Sequence, residues 1–300
     1  MAGHLLDAGL SIVVYTRTKS KADRLLGSGA TWADSPAEAA DGADVAFSMV
    51  GSPPDVEAVH LGADGTLAAA KPPSLIVDMS TSRPSLAADL HDRAKAVGTG
   101  SIDAPVSGGD VGARQATLSI MVGGAESDLD SVRPELEILG RIVVYQGGPG
   151  AGQHTKMVNQ LLIASTMIGV CEGLLYAARA GLDPQTVIES VGSGAAGSWS
   201  INNLGPRMIR RDFEPGFFVD HFIKDLGIAL EESKRMGLSL PGLVLAQQLY
   251  EQVRGLDEGR GGRMGTQALL LALERLNDVA DPVVKTLREN AAGTCPAPGK

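Results

Sequence analysis

The sequence predicts an α/β protein: a doubly wound, mostly parallel sheet in the first half, then a half built of helices alone. Three observations carry this. Up to about residue 150, short β-rich runs alternate with helical segments, the pattern of a sheet whose crossovers are helices. From residue 152 the strand signal stops and helical patterns continue without it. Between the two halves lies a glycine-rich turn at 147–150.

Residues 1–9 read as the end of a helix, with Leu5 and Leu6 on an apolar face and Gly9 as its stop. Residues 11–15, Ser-Ile-Val-Val-Tyr, read as a buried parallel strand. Further strands fit 44–49, 75–79, 99–103, 117–122 and 141–145, and helices fit 19–28, 35–41, 53–60, 84–96 and 126–138. This is a Rossmann-like order. Residues 152–180 are apolar almost all round, and Ser165, Thr166 and Glu172 make a buried core helix the better reading than a membrane span. Helices follow at 184–192, 200–210, 219–236, 241–254 and 265–277. The expected domains are 1–150, a doubly wound sheet incomplete at its N-terminus, and 151–290, all helical; a tail at 291–300 is expected to be disordered. Open α/β sheets bind ligands outside the carboxyl ends of their strands, so an active-site cleft is expected between those ends and the helical half.

Composition narrows the function classes. Hydrophobic residues make up 44% of 300 residues, enough for two cores. A net charge of −9 weighs against general nucleic-acid binding, which needs concentrated Lys and Arg, and the basic clusters at 19–24 and 207–211 are short. Cys171 in an apolar run and Cys295 in the tail do not make a disulfide framework, so a cytoplasmic setting is expected. No signal-peptide pattern opens the chain.

Four segments can carry chemistry. In "GPGAGQHTKMVNQLL", residues 148–162, Lys156 starts the apolar helix and Asn159 follows one turn on, on the same face. Two readings stay open: the ammonium snorkels to solvent, or a buried lysine of depressed pKa serves as general acid/base, held by Asn159. In "DAPVSGGDVGARQATLSIMVGG", residues 103–124, a strand ends at Asp103, and the loop 105–109 offers the backbone N–H groups of Ser107, Gly108 and Gly109 to a small carboxylate; a plain hairpin turn looks similar. "YTRTKSK", residues 15–21, closes the first strand, where dinucleotide folds meet the adenosine ribose. An acidic residue there would favour NAD; Arg17 and Thr18 suit a 2′-phosphate, so NADP is preferred to NAD, unless the segment is only a solvated helix start. In "HFIKDLGIALEES", residues 221–233, Lys224 and Asp225 adjoin on a helix and so point to different sides, either one toward the cleft or both as surface charge.

Together these segments resemble the β-hydroxyacid dehydrogenase family. "DAPVSGG", then Gly150, Gly152, Lys156 and Asn159 as GxGxxxKxxN, then "KDLGIAL" stand in the family's order and spacing, and the resemblance runs from Met1 to about Asn277. "DMSTSRP", residues 78–84, is similar to the family segment whose Ser-Thr, here Ser80 and Thr81, reaches the nicotinamide side. "SMVGSPPDVEAV", residues 48–59, resembles the loop lining the cofactor cleft and contains Met49 and Val50.

The resemblance implies an NAD(P)-dependent oxidoreductase that moves a hydride between nicotinamide and the hydroxyl or aldehyde carbon of a small β-hydroxy acid or semialdehyde. Lys156 would be the general acid/base and Asn159 would orient it. Ser107, Gly108 and Gly109 would bind the carboxylate, with Lys224 and Asp225 closing the pocket. Arg17, Thr18, Met49, Val50, Ser80 and Thr81 would hold the cofactor, and no metal is implied. A homodimer or homotetramer is expected, with neither nucleic acid nor membrane as partner. Methylmalonate, tartronate and succinic semialdehydes and glyoxylate all suit such a loop, and the direction stays open. Imine reductases share the architecture but differ at the lysine. Trp199 reads equally as a pocket wall or as core. Two departures stand out. Met1-Ala2 matches a "MA" that follows the family's first strand and Gly-x-Gly-x-Met-Gly turn, so the chain reads as short by about 25–30 residues, a strand and its turn. A lysine that many members carry late in the chain is absent from "GGRMGTQALLLAL", residues 261–273, where Arg263 is the nearest stand-in. The first departure motivates an alternative: a truncated, silent homologue that only binds a partner or dimerises.

Overall fold

The computed structural model describes residues 1–279; the expected tail at 291–300, the end of the expected helical domain and Cys295 lie outside them. The described chain divides into two compact units, Met1–Asn159 and a second beginning at Gln160.

The first unit runs α1 (Ala2–Asp7), β1 (Val13–Val14), α2 (Asp23–Gly27), β2 (Thr31–Trp32), α3 (Pro36–Ala40), β3 (Val45–Ser48), α4 (Pro53–Leu61), β4 (Leu75–Asp78), α5 (Pro84–Ala96), β5 (Gly100–Asp103), β6 (Val106–Ser107), α6 (Gly109–Gln115), β7 (Leu118–Gly123), α7 (Glu126–Leu139) and β8 (Gly140–Gly147), and ends inside α8 (Ala151–Arg179). Helix starts follow local chemistry. Ser35 accepts from Glu38 N and Ser52 from Asp55 N, each with a proline in the first turn where no N–H is needed.

β3, β4 and β5 pair in parallel and in one register: Val45, Leu75 and Gly100 stand in one row, and Ser48, Asp78 and Asp103 in the last. Alternation along β4 winds the sheet on both faces. Leu75 and Val77 pack with Ile102 against Leu129, Val132 and Leu136 of α7 and Leu5 of α1. Ile76 faces the other way, against Leu90 and Ala94 of α5.

The sheet is mostly parallel, as expected, with a reversal at β7 that no local pattern marked. β7 runs antiparallel to β5 and β6, which share one of its edges, and parallel to β8 on the other. The expected loop at 105–109 is thus partly strand, and Gly109 opens helix α6. The expected strand 11–15 shrinks to two residues paired with β2, which no local pattern had marked.

The second unit is helical, as the sequence predicts. It holds most of α8, then α9 (Pro184–Val191), α10 (Trp199–Asn203), α11 (Gly205–Ile209), α12 (Val219–Arg235), α13 (Pro241–Arg254) and α14 (Leu269–Leu276). The expected helix 200–210 breaks at Leu204, just ahead of Pro206. Its core includes Phe222 of α12 edge-on to Tyr250 of α13, centroids 4.8 Å apart, and the Tyr250 hydroxyl donates to Thr266 O at 3.0 Å. Trp199 is 66% exposed, so it is not core. Among the described residues, α8 is long and apolar enough to cross a membrane, yet it buries Gln153, Lys156 and Gln160 with hydrogen-bond partners in the protein.

Candidate active site

The parallel register brings Ser48, Asp78 and Asp103 to the carboxyl ends of three neighbouring strands, all buried. Ser48 Oγ donates to Asp78 Oδ1 at 2.8 Å, and Ser80 N donates to the same oxygen at 3.1 Å. Val50 N donates to Ser80 Oγ at 2.8 Å, tying the loop after β3 to the loop after β4. Gln153 of α8 then grips that second loop: its Nε2 donates to Ser80 O at 2.8 Å and its Oε1 accepts from Ser82 N at 2.9 Å.

Asp103 anchors the start of α8. Its two carboxylate oxygens accept from Gly150 N and Gln153 N, each at 2.8 Å, where a helix leaves its first N–H groups without intrahelical partners. Burial pushes its pKa up to about 6, against the lowering by these backbone bonds. Gly123 and Gly152 make the approach possible: a Cβ at 123 would lie 2.6 Å from Asp103 Oδ1, and one at 152 would lie 2.7 Å from Asp103 O and overlap Met121 O. The glycine in the GxGxxxKxxN pattern therefore serves close packing of helix on sheet.

One turn along α8, Lys156 is 6% exposed and its Nζ donates to Val106 O at 2.7 Å. Snorkelling to solvent is excluded. Asn159 Oδ1 accepts from Ser107 Oγ at 3.1 Å. Gly108 and Gly109, next to Ser107, are exposed, with φ of 130° and 62°, a left-handed turn that turns the chain from β6 into α6. The structure thus gathers Lys156, Asn159, Ser107, Gly108 and Gly109 at one place in the first unit.

In the second unit, Asp225 is fully buried. Its Oδ2 accepts from Gln160 Nε2 at 2.6 Å, and its Oδ1 meets Lys224 Nζ at 2.9 Å. The expectation that Lys224 and Asp225 diverge is corrected: the backbone directions differ, but the four-carbon lysine stem folds its ammonium back to the neighbouring carboxylate. Arg263, the stand-in for the absent lysine, stacks on Phe218 at 5.0 Å.

The expected cofactor residues fall in two groups. Met49, Val50, Ser80 and Thr81 lie in the two loops at the strand ends, with Met49 57% exposed. Ser82 Oγ, in the same loop, is buried without a hydrogen-bond partner. Arg17 and Thr18 follow β1, and Arg17, 79% exposed, pairs with Asp55 at 3.0 Å near the start of α4. A buried, unsatisfied hydroxyl and the exposed Met49, in loops at parallel strand ends, fit a dinucleotide, although Ser80 itself is fully buried. Among the described residues no cluster of three or more His, Cys, Asp or Glu side chains is arranged to hold a metal ion. Local reading passed over Asp78, Asp103, Gln153 and Gln160. The signal present was the quoted motifs themselves, which contain all four residues but give no hint that strand register aligns Asp78 with Asp103.

Residues 1–148 match the NAD-binding domain of 6-phosphogluconate dehydrogenase, and residues 150–272 match the NAD-binding domain of NADP-dependent 3-hydroxyisobutyrate dehydrogenase. A probable 3-hydroxyisobutyrate dehydrogenase-like protein of Arabidopsis thaliana is 50% identical over 281 residues, 93% of this chain and 83% of that one. The 2-hydroxy-3-oxopropionate reductase of Escherichia coli is 38% identical over 274 residues, 91% and 92% of the two chains. The structure of 3-hydroxyisobutyrate dehydrogenase from Mycobacterium tuberculosis with L-serine superposes with a TM-score of 0.82 at 29% identity, over 91% of this chain and 94% of that one. Nothing in these relatives supports a silent homologue. With its Rossmann-like unit, its helical unit and these relatives, the chain belongs to the β-hydroxyacid dehydrogenase family of NAD(P)-dependent oxidoreductases.

Proposed function

We propose that the chain interconverts a small carboxylated semialdehyde and its β-hydroxy acid with NADP(H), and that Lys156 is the general acid/base. The single observation that carries this is the burial of Lys156 beside Val106, with Ser107 and Asn159 joined next to it. When bound, the nicotinamide supplies or accepts the hydride at the carbinol carbon. Lys156 delivers a proton to the substrate oxygen in reduction and removes it in oxidation. Val106 O fixes the ammonium, so little ordering remains to be done when substrate arrives. Ser107 and the N–H groups of the exposed Gly108 and Gly109 take the substrate carboxylate. Asn159, already bonded to Ser107, links the proton-transfer residue to the carboxylate site. Asp225 holds Lys224 and Gln160 in the helical unit, and both Lys224 and Asp225 are assigned to substrate binding.

Met49, Val50, Ser80 and Thr81 would hold the nicotinamide half, and Arg17 and Thr18 the adenosine half. The preference for NADP rests on Arg17 in place of an acidic residue. The exposed apolar residues Val158, Leu162 and Tyr176 on α8 support a homodimer or homotetramer, which sedimentation tests. A reducing, cytoplasmic setting is part of the reading and is supported by the free, buried Cys171.

The test is turnover of 2-hydroxy-3-oxopropionate and methylmalonate semialdehyde with NADPH by the unsubstituted chain and by Lys156→Ala. Loss of a general acid/base lowers kcat by about 10²–10⁴-fold, with NADPH affinity within about twofold of the unsubstituted chain. Wild-type-like turnover by Lys156→Ala sinks the assignment.

A further inference from the structure

The buried polar row continues past Ser48 to His60 on the last turn of α4, which is 1% exposed. His60 Nε2 lies 2.8 Å from Ser48 Oγ, and its Nδ1 lies 2.8 Å from Thr66 Oγ1. The direction of each bond follows from counting hydrogens. Ser48 has one hydroxyl hydrogen, and it goes to Asp78 Oδ1, since a carboxylate only accepts. His60 Nε2 must then carry a proton and donate it to Ser48 Oγ. That leaves Nδ1 bare, accepting from the Thr66 hydroxyl. Burial holds the ring neutral, outweighing the pull of the Asp78 charge, as this order requires. The same order rules out Ser48 as a nucleophile activated by His60, because the ring nitrogen facing it is a donor, not a base.

We propose that His60 is a positioning residue for the two loops that face the cofactor. His60 Nε2–H leaves the Ser48 hydrogen a single acceptor, Asp78 Oδ1. Asp78, so oriented, receives Ser80 N, and Ser80 Oγ receives Val50 N. A relay of four side chains thus carries the position of α4 to the backbone of both loops. A neutral imidazole suits the head of such a relay: it is rigid, with one donor and one acceptor at fixed places on the ring. The proposal rests on the reading that Met49, Val50, Ser80 and Thr81 meet the dinucleotide.

Three variants test it. His60→Gln keeps an N–H donor near the Nε2 position. His60→Asn reaches only the Nδ1 position and leaves Ser48 without its donor. Ser48→Ala cuts the next link. Amide exchange at Val50 and Ser80 is measured in the full chain without cofactor, alongside KM for NADPH and kcat. His60→Asn and Ser48→Ala should each speed exchange at both amides and raise KM for NADPH, by about tenfold, with kcat within about twofold. His60→Gln should stay within about twofold on all three readouts, and the double variant His60→Asn/Ser48→Ala should be no worse than either single. Equal effects of Gln and Asn, or multiplying effects in the double variant, would show a packing role and overturn the proposal. Unchanged exchange in His60→Asn overturns the relay outright. Failure of the unsubstituted chain to bind any dinucleotide overturns the functional reading and the cofactor half of this proposal; exchange then judges the relay alone.

Discussion

Asp103→Asn separates burial from hydrogen bonding at the start of α8. The side chain is boxed in by β7, by the first residues of α8 and by its own strand, and burial raises its pKa from 3.8 to about 6. A raised carboxylate pKa means that the folded protein keeps this proton while the unfolded chain has released it. The contribution of Asp103 to stability is therefore complete below pH 3.8, falls as pH rises toward 6, and is flat above. A rise of about two units corresponds to about 3 kcal/mol. Asparagine keeps the shape and removes the charge, but its amide nitrogen only donates, so it accepts from one of Gly150 N and Gln153 N and leaves the other buried N–H without an acceptor. Asp103→Asn should thus lie below the unsubstituted chain near pH 4 by about 1–3 kcal/mol, the cost of one buried N–H without an acceptor, and the difference should shift in favour of asparagine by about 3 kcal/mol between pH 4 and pH 7. Urea unfolding followed by Trp32, in the first unit, reads this; Trp199→Phe on both chains removes the other tryptophan. A stability difference that does not change between pH 4 and pH 7 would refute the reasoning and show that the two backbone bonds offset burial.

Gly152→Ala places a methyl group against Met121 O and 2.7 Å from Asp103 O, both backbone atoms that cannot turn away. It should cost about 2 kcal/mol or more, and a calorimetric Tm within a degree of the unsubstituted chain would contradict that. Arg17→Ala should raise KM for NADPH by about tenfold, the loss of one charge-assisted bond, and leave KM for NADH within about twofold. Its ion pair with Asp55 is largely exposed, so thermal stability should barely move; equal effects on the two cofactors would remove Arg17 from the phosphate site.

Much of this architecture is local and so was legible. Alternating β-rich and helical runs marked five of the six strands of the larger sheet: β4 is buried at every residue and so is apolar over Leu75–Val77, whereas β8 is largely exposed and was legible from its β-branched and aromatic residues. The helices expected at 35–41 and 53–60 are there, and each starts on a Ser-Pro pair, Ser35-Pro36 and Ser52-Pro53, whose capping chemistry is confined to one turn. Lys156, Asn159 and Ser107 were legible as residue types in a spaced pattern. Their convergence was not, since Ser107 and Asn159 lie 52 residues apart and meet only through β6 and α8.

Sequence by itself determined the class of fold, the family and the residues able to move a proton or meet a carboxylate, because these follow from periodicity and from motifs a few residues long. Tertiary structure alone decided that Ser48, Asp78 and Asp103 stand in one row, that β7 reverses the sheet, and that Lys156 is buried rather than solvated. The physical reason is that strand register and helix-on-sheet approach are set by packing across long crossovers. No local pattern records which residue a strand will face, so the polar network at the strand ends exists only once the sheet is assembled.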